Sequence, residues 1–198
     1  TQSSVSAIES SGKYLETVLK TVENLAGQIF ADNDIQSYLK TNPLEDIIAR
    51  MQIDKDASNR LMNVSTFSSE ISSIIIIPAN EEIRVLAISS QSLPSNSVKY
   101  SLIKDTPAYN RLKESNKGSA WFGIHKELDD LTGLTENNYS FSLMRIINST
   151  ITMSEVGILY IDLKPGIIDS LMKSINITEN QLIQLVSPDG RVISNKEV

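Results

Sequence analysis

The residues best suited to binding a small molecule lie in two neighbouring segments whose residues alternate as in β-strands. Arg145 belongs to the first segment, and Tyr160 and Asp162 belong to the second. A guanidinium binds a carboxylate through two parallel hydrogen bonds, and a carboxylate accepts hydrogen bonds from amines and hydroxyls. Residues two apart in a strand share a face. We therefore predict a polar ligand site on the sheet face that bears Tyr160 and Asp162.

The strand register decides whether Arg145 reaches that face, because a slip of one residue turns every side chain to the other side. Aromatic residues and a second arginine complete the candidate site, which comprises Tyr109, Arg111, Trp121, Tyr139, Phe141, Arg145, Tyr160 and Asp162. Several of these residues have an alternative role. Trp121 and the tyrosines also suit packing, Arg145 and Asp162 could pair with each other, and Asp162 could be a solvated residue at a strand end.

Catalytic and metal-binding patterns are missing from the sequence. His125 is the only histidine, there is no cysteine, and no G-x-S-x-G motif occurs. Asp32-Asn-Asp34 has carboxylate spacing but lacks the glycine and distal glutamate of a calcium loop, so we expect a helix cap there. We expect Glu127, Asp129 and Asp130 to lie in a solvated loop. The sequence therefore predicts no enzyme activity, no metal and no cofactor.

Composition excludes further classes of function. The net charge is −6, and the 18 basic residues are scattered, which disfavours nucleic-acid binding. The apolar runs, such as Ile74–Ile77, are far shorter than the ~20 residues that span a bilayer. The chain starts at Thr1 without methionine, so we expect that it is part of a longer protein whose targeting or membrane segments lie elsewhere.

Hydrophobic periodicity predicts the elements that position the candidate site. The predicted helices are 4–31, a short helix capped by Asp34, one starting at Asn42-Pro43, 105–115 and 165–175. The predicted strands are 71–77, 83–89, 119–125, the two within 139–164, and a last hairpin of 181–187 and 191–194. Strands that neighbour each other in sequence favour an antiparallel sheet. We predict an α+β fold with a five-stranded sheet and a helical layer on one face. The last hairpin is an extra edge or the start of a second module.

Several segments together carry a resemblance to a known family. They are ISSIIIIPANEEIRVLAISS, KDTPAYNRLKESNKGSAWF, EVGILYIDLKPGIIDSLM and LIQLVSPDGRVISN, preceded by the long amphipathic helix. In this order they resemble the Cache (PAS-like) extracytoplasmic sensor domains of bacterial chemoreceptors and histidine kinases, of the double-Cache type. The W…R-x-I arrangement is most similar to sensors of YesM-type histidine kinases. This sequence lacks the R-x-W run of amino-acid sensors, because Arg111 lies ten positions before Trp121. The resemblance therefore does not imply specificity for amino acids.

The resemblance implies a domain organisation and a function. It implies an N-terminal helical segment at 1–68, a membrane-distal PAS-like module at 69–176, and the beginning of a membrane-proximal module at 177–198. It implies a non-enzymatic sensor domain of a membrane-anchored receptor that binds a small polar molecule such as an amino acid, organic acid, sugar or amine. Asp162 matches a residue that contacts the ligand's amine, and the N-terminal helix could form a homodimer. The alternative is a Cache-fold dimerisation or protein-interaction module without a small ligand.

Overall fold

A computed structural model describes residues 2–42, 44, 46–89, 98–123, 126, 129–130, 139–175, 182–186, 190 and 192–197. Its helices are α1 (Gln2–Ala31), α2 (Asn33–Leu39), α3 (Ile47–Ser65), α4 (Tyr100–Lys104), α5 (Pro107–Glu114) and α6 (Gly166–Ser174). Its strands are β1 (Ile71–Pro78), β2 (Leu86–Ser89), β3 (Ser119–Phe122), β4 (Ser142–Asn148), β5 (Glu155–Leu163), β6 (Leu182–Val186) and β7 (Val192–Glu197).

The first five strands form one antiparallel sheet in the order β2-β1-β5-β4-β3, which confirms the predicted fold class. β5 is the central strand, and β1 and β4 pair with its two sides. Both strands are rich in isoleucine, whose branched side chain packs well on a pleated surface. Residues Gly157–Leu163 of β5 are buried, so both faces of the sheet are covered.

The two faces of the sheet pack against different helices. The face that we call the α1 face carries Leu143, Arg145 and Ile147 of β4, and its apolar residues join α1, α2, α3 and α6 in one core. The opposite face, which we call the α5 face, carries Ser142, Met144 and Ile146 of β4, and its apolar residues join α4 and α5 in a second core. A helical layer was predicted on one face only. The short helices α4 and α5 cover the other face, because Tyr160 and Ile158 need apolar partners there.

α1 packs through the second half of its apolar stripe. Buried side chains recur at three- and four-residue spacings, at Val18, Val22, Leu25, Ala26 and Ile29. Burial of each large one is worth about 1.5–3 kcal/mol relative to exposure. Val5 and Ile8 lie in the first turns of the same helix, and both are exposed. The first turns of α1 therefore gain little from packing on the sheet.

Local hydrogen bonds move several element boundaries away from the predicted positions. Asp32, and not Asp34, caps α2, because its side chain accepts from the backbone N–H groups of Asp34 and Ile35. Asn42 accepts from the N–H of Leu44, and α3 begins only at Ile47. In the turn after β1, the side chain of Asn80 accepts from the N–H of Glu82. Strand β2 therefore begins at Leu86 and not at residue 83 as predicted.

The helix predicted at 105–115 is two helices. The side chain of Thr106 accepts from the N–H of Tyr109, and Pro107 occupies the first turn, so Thr106 is the N-cap of α5. The separate helix α4 ends just before it at Lys104. The last hairpin, β6–β7, forms its own two-stranded sheet and is not an edge of the larger one. Ile183 and Leu185 of β6 pack against the core of the α1 face.

Candidate functional site

The strand register separates Arg145 from Asp162. Arg145 lies opposite Leu159, and Asp162 lies opposite Ser142. Paired residues point to the same side of a sheet, and Leu159 belongs to the core of the α1 face. Arg145 is therefore on the α1 face and Asp162 on the α5 face. The register, which the sequence left open, thus places the two residues on different faces, and the alternative in which their side chains pair with each other is wrong.

Asp162 is the centre of a polar group that crosses three strands of the α5 face. The registers place Ser73 of β1 and Ser142 of β4 on either side of it. Ser73 Oγ donates to one carboxylate oxygen at 2.6 Å, and Ser142 Oγ donates to the other. Asp162 is only 1% exposed, so it is not a solvated strand end. A buried carboxylate requires such donors, and they orient it on this face.

Three other predicted residues share the α5 face with Asp162. Tyr160 and Tyr109 are buried in its core. The guanidinium carbon of Arg111 lies 5.1 Å from the centre of the Phe122 ring, which belongs to the same core. This distance is typical of a cation–π contact. The structure thus brings Tyr109, Arg111, Tyr160 and Asp162 to one side of the sheet.

Trp121, Phe141 and Arg145 lie on the α1 face. The rings of Trp121 and Phe141 are 5.5 Å apart and tilted, and Phe141 is in the core. The indole N–H of Trp121 donates to Glu23 Oε1 of α1 at 2.9 Å. Trp121 therefore has the packing role that was its alternative, and it also ties β3 to α1.

Tyr139 lies apart from both groups. Its hydroxyl donates to Asp129 Oδ2 at 2.8 Å, and both residues are buried. Asp129 is therefore not in a solvated loop as expected. His125 and Glu127 lie outside the described residues.

A cluster around Glu155, at the start of β5, was missed by the sequence reasoning. Tyr100 Oη donates to Glu155 Oε2 at 2.7 Å, and Tyr109 Oη donates to the same oxygen. Lys113 Nζ pairs with Oε1. The sequence signal is an acidic residue that opens a largely apolar strand, EVGILYIDL, but its partners are 42 to 55 residues away. The cluster fastens α4 and α5 to the end of the sheet.

The same contacts shift the pKa values of the cluster. Burial raises the pKa of Glu155, but the hydrogen bonds from Lys113, Tyr109 and Tyr100 outweigh it and lower the pKa to about 2. Burial, together with the hydrogen bond to this carboxylate, raises the pKa of Tyr100 and Tyr109. Glu155 is therefore anionic and both tyrosines are neutral near pH 7.

A pocket of about 350 Å³ opens at the end of β4. Its lining includes Phe30 from α1, the loop between α5 and β3, and side chains of Arg145, Asn148 and Glu155. The guanidinium carbon of Arg145 lies 4.7 Å from the centre of the Phe30 ring. Arg145 therefore contacts α1 and also lines an open pocket.

Neither a metal site nor a membrane-spanning helix is found in the part of the chain that the structure describes. No group of three or more histidine, aspartate or glutamate side chains within it is placed to hold a metal ion. Among its helices, none combines the length and the apolar character needed to cross a membrane.

Comparison with known proteins gives similarity in structure alone. No protein-family model matches the chain, and no curated protein matches it in sequence. A solved structure described as the "extracellular domain of the putative histidine kinase vpHK1S-Z8" matches with a TM-score of 0.58 and 14% identity, over 95% of this chain and 65% of that one. A second such domain, rpHK1S-Z16, matches with a TM-score of 0.56 and 16% identity, over 98% of this chain and 70% of that one.

The chain thus spans about two thirds of the length of these domains. The ligand-binding domain of the Campylobacter jejuni chemoreceptor Tlp3, in complex with L-norvaline, is matched at a TM-score of 0.46 and 13% identity, over 98% of this chain and 71% of that one. The two higher scores show that this chain has the fold of these extracellular domains, and at such identities they show the fold alone.

Proposed function

We propose that this chain is an extracytoplasmic sensor domain of a transmembrane receptor and binds a small polar molecule. The receptor is a histidine kinase or a chemoreceptor. The observation that carries the proposal is the architecture, a long N-terminal helix on a sheet of order β2-β1-β5-β4-β3, shared with extracellular domains assigned to histidine kinases. The domain itself is not an enzyme, and the parent protein is anchored in the membrane.

The proposed ligand site lies on the α5 face around Asp162. Ser73 and Ser142 hold the carboxylate in place, and Tyr160 provides aromatic surface two residues away on the same face. Tyr109 belongs to the same core but lies at the other end of β5, beside Glu155. Such a group recognises an amine or a hydroxyl, because a carboxylate accepts but does not donate hydrogen bonds. Arg111 on the same side supplies a positive charge. Amino acids, organic acids, sugars and amines remain the ligand classes to test.

β4 offers a route from this site to α1. Ser142 points to the α5 face, and Arg145, three residues later, points to the α1 face and contacts Phe30. Trp121, which pairs with Leu143 of β4, donates its indole N–H to Glu23 of α1. A ligand that displaces β4 by a small amount therefore moves the contacts that hold α1. We propose that this shift of α1, or of α6, is the signal passed to the membrane.

The domain division follows the same proposal. Residues 1–68 form the helical segment, 69–176 the membrane-distal module, and 177–198 the start of a membrane-proximal module of a double-Cache sensor, closest to the YesM type. The separate β6–β7 sheet supports a new module after α6.

The second candidate function is a dimerisation module without a small ligand. It is favoured by the exposed apolar residues Val5 and Ile8 in the first half of α1. A buried homodimer interface requires such a surface. Analytical ultracentrifugation of the native chain and of Ile8→Glu tests it, because a dimer through α1 dissociates in the variant.

A thermal-shift screen against amino acids, organic acids, sugars and amines tests the sensor proposal, since a ligand specific for the native state raises Tm. Each hit is then titrated by calorimetry into Asp162→Ala and into the isosteric Asp162→Asn. Loss of one charge-assisted hydrogen bond weakens binding roughly ten- to a hundred-fold. Asp169→Ala, an exposed carboxylate on α6, is the matched control and keeps the affinity. Unchanged ligand affinity in folded Asp162 variants would contradict the assignment of the ligand site to Asp162.

A further inference from the structure

Arg145 is partly buried, and no described residue gives it an anionic partner. Its Nε is buried and makes no hydrogen bond to any described residue, and none of the ion pairs among those residues includes its guanidinium. Burial lowers the pKa of Arg145, and no charge among the described residues offsets that shift. The Phe30 ring beneath it is its one aromatic contact among the described residues. A guanidinium in this state carries a desolvation cost that a bound anion would relieve.

The pocket beside Arg145 has the opposite charge from the chain as a whole. Its charged lining consists of Lys113, Lys117 and Arg145 against Glu155, which is an excess of cations in a chain of net charge −6. Glu155 accepts from Lys113, Tyr100 and Tyr109, so its charge is already compensated. The charge left for a ligand is positive.

Asn148 supplies a second unsatisfied group in the same pocket. Its side-chain oxygen is buried and accepts no hydrogen bond from the described residues. The residue is three positions from Arg145 on the same strand, and both side chains line the pocket. A ligand that satisfies both groups carries an anionic acceptor for Arg145 and a hydroxyl donor for Asn148.

The size of the pocket limits the ligand to a small molecule. Its volume of about 350 Å³ is near the lower end of the roughly 300–1,000 Å³ of typical ligand sites. Gly118, whose φ of 58° is in the left-handed region, shapes the loop that closes one side. A dicarboxylate with a hydroxyl group fits this volume and this arrangement of charges.

We propose that this pocket binds a small hydroxycarboxylate, with its carboxylate on the Arg145 guanidinium and its hydroxyl on Asn148. The site is distinct from the one proposed around Asp162, because Asp162 pairs with Ser142 at the start of β4, whereas Arg145 and Asn148 lie towards the end of that strand. Its occupant joins the end of α1, at Phe30, to β4 and to the loop after α5. Binding there stabilises the contact between α1 and the sheet.

Calorimetry with four probes tests the proposal. L-malate and citrate carry the proposed groups, succinate lacks the hydroxyl, and inorganic phosphate is an anion without a carboxylate. We expect malate or citrate to bind, and Arg145→Gln to weaken that binding roughly tenfold or more. Arg84→Gln, which removes a surface arginine elsewhere, is the matched control and leaves the affinity unchanged. Asn148→Ala weakens malate more than succinate.

A melting curve of the unliganded variants separates binding from packing. If Arg145 serves the pocket, Arg145→Gln keeps or raises Tm, because an unpaired charge has been removed. If Arg145→Gln does not fold, Arg145→Lys and Lys117→Gln give the affinity readout, and each lowers it. Failure of all four probes to bind, binding of phosphate alone, or equal affinity in native and Arg145 variants would overturn the proposal. Asp162→Ala leaves malate binding intact, so the two proposed sites fail independently.

Discussion

Asp162 and Arg145 lie on opposite faces of the β4–β5 pair. Arg145 is opposite Leu159 and stacks on Phe30 of α1, and Asp162 is opposite Ser142 and accepts hydrogen bonds from Ser142 and Ser73. The sheet itself stands between the two charges. Their effects on stability should therefore be separate.

A double-mutant cycle measures that separation. We expect the unfolding free energies of Asp162→Asn and Arg145→Gln to add within about 0.3–0.5 kcal/mol, because residues without shared partners behave independently. Urea denaturation of the two single variants and the double variant gives the coupling energy. The matched cycle, Lys113→Gln with Glu155→Gln, should show larger coupling, since these side chains form an ion pair. Equal coupling in both cycles would contradict the assignment of faces.

Glu155→Gln should destabilise the domain at neutral pH. The native pKa is about 2, below the ordinary 4.5, so the ionised carboxylate favours the folded state by on the order of 3 kcal/mol before solvent screening, which reduces this value for a partly exposed group. This contribution is fully present above pH ~4.5 and is lost as the pH falls towards about 2. The stability difference between native protein and variant should therefore shrink across that window in urea titrations.

Glu114→Gln is the control for Glu155, because Glu114 is exposed at the end of α5. Its difference from the native protein should be small and nearly constant with pH. A Glu155 variant that behaves in the same way would show that the cluster with Tyr100, Tyr109 and Lys113 contributes no stability.

Gly157→Ala should be strongly destabilising. A Cβ at Gly157 would lie 2.8 Å from the carbonyl oxygen of Ile77 and 3.2 Å from Leu39 Cδ2, so β5 and β1 would have to move apart. Gly12→Ala on α1 meets nothing within 4 Å and should stabilise the helix by about 0.5–1 kcal/mol. Thermal unfolding monitored by circular dichroism compares the two variants. A Gly157→Ala protein as stable as the native chain would contradict the tight packing.

Asp32→Ala should cost about 1 kcal/mol or more. Asp32 caps α2, and its other oxygen accepts from Nε of Arg60 in α3. Asp34→Ala removes only an exposed carboxylate in the first turn of α2 and should cost a few tenths of a kcal/mol. Chemical denaturation of both variants distinguishes them. A larger loss of stability in Asp34→Ala than in Asp32→Ala would indicate that Asp34 is the N-cap of α2.

Much of the fold could be predicted because local patterns determine local structure. The stripe of α1, the isoleucine run of β1, the alternation of β5 and the Thr106-Pro107 start of α5 each depend on neighbours within a few residues. The boundaries that were wrong lie next to side chains that accept backbone hydrogen bonds, namely Asp32 before α2, Asn42 before α3 and Asn80 before β2. Such competing hydrogen bonds differ too little in energy for the pattern to decide.

The sequence by itself determined the order of the elements, the two-sided character of β5 and the presence of Arg145 and Asp162 on adjacent strands. Only the tertiary structure decided the register that sends them to opposite faces, because a slip of one residue preserves the alternation and reverses every side chain. It also decided the partners of Glu155. Tyr100, Tyr109 and Lys113 are far from it along the chain, and packing of α4 and α5 on the sheet brings them to one carboxylate.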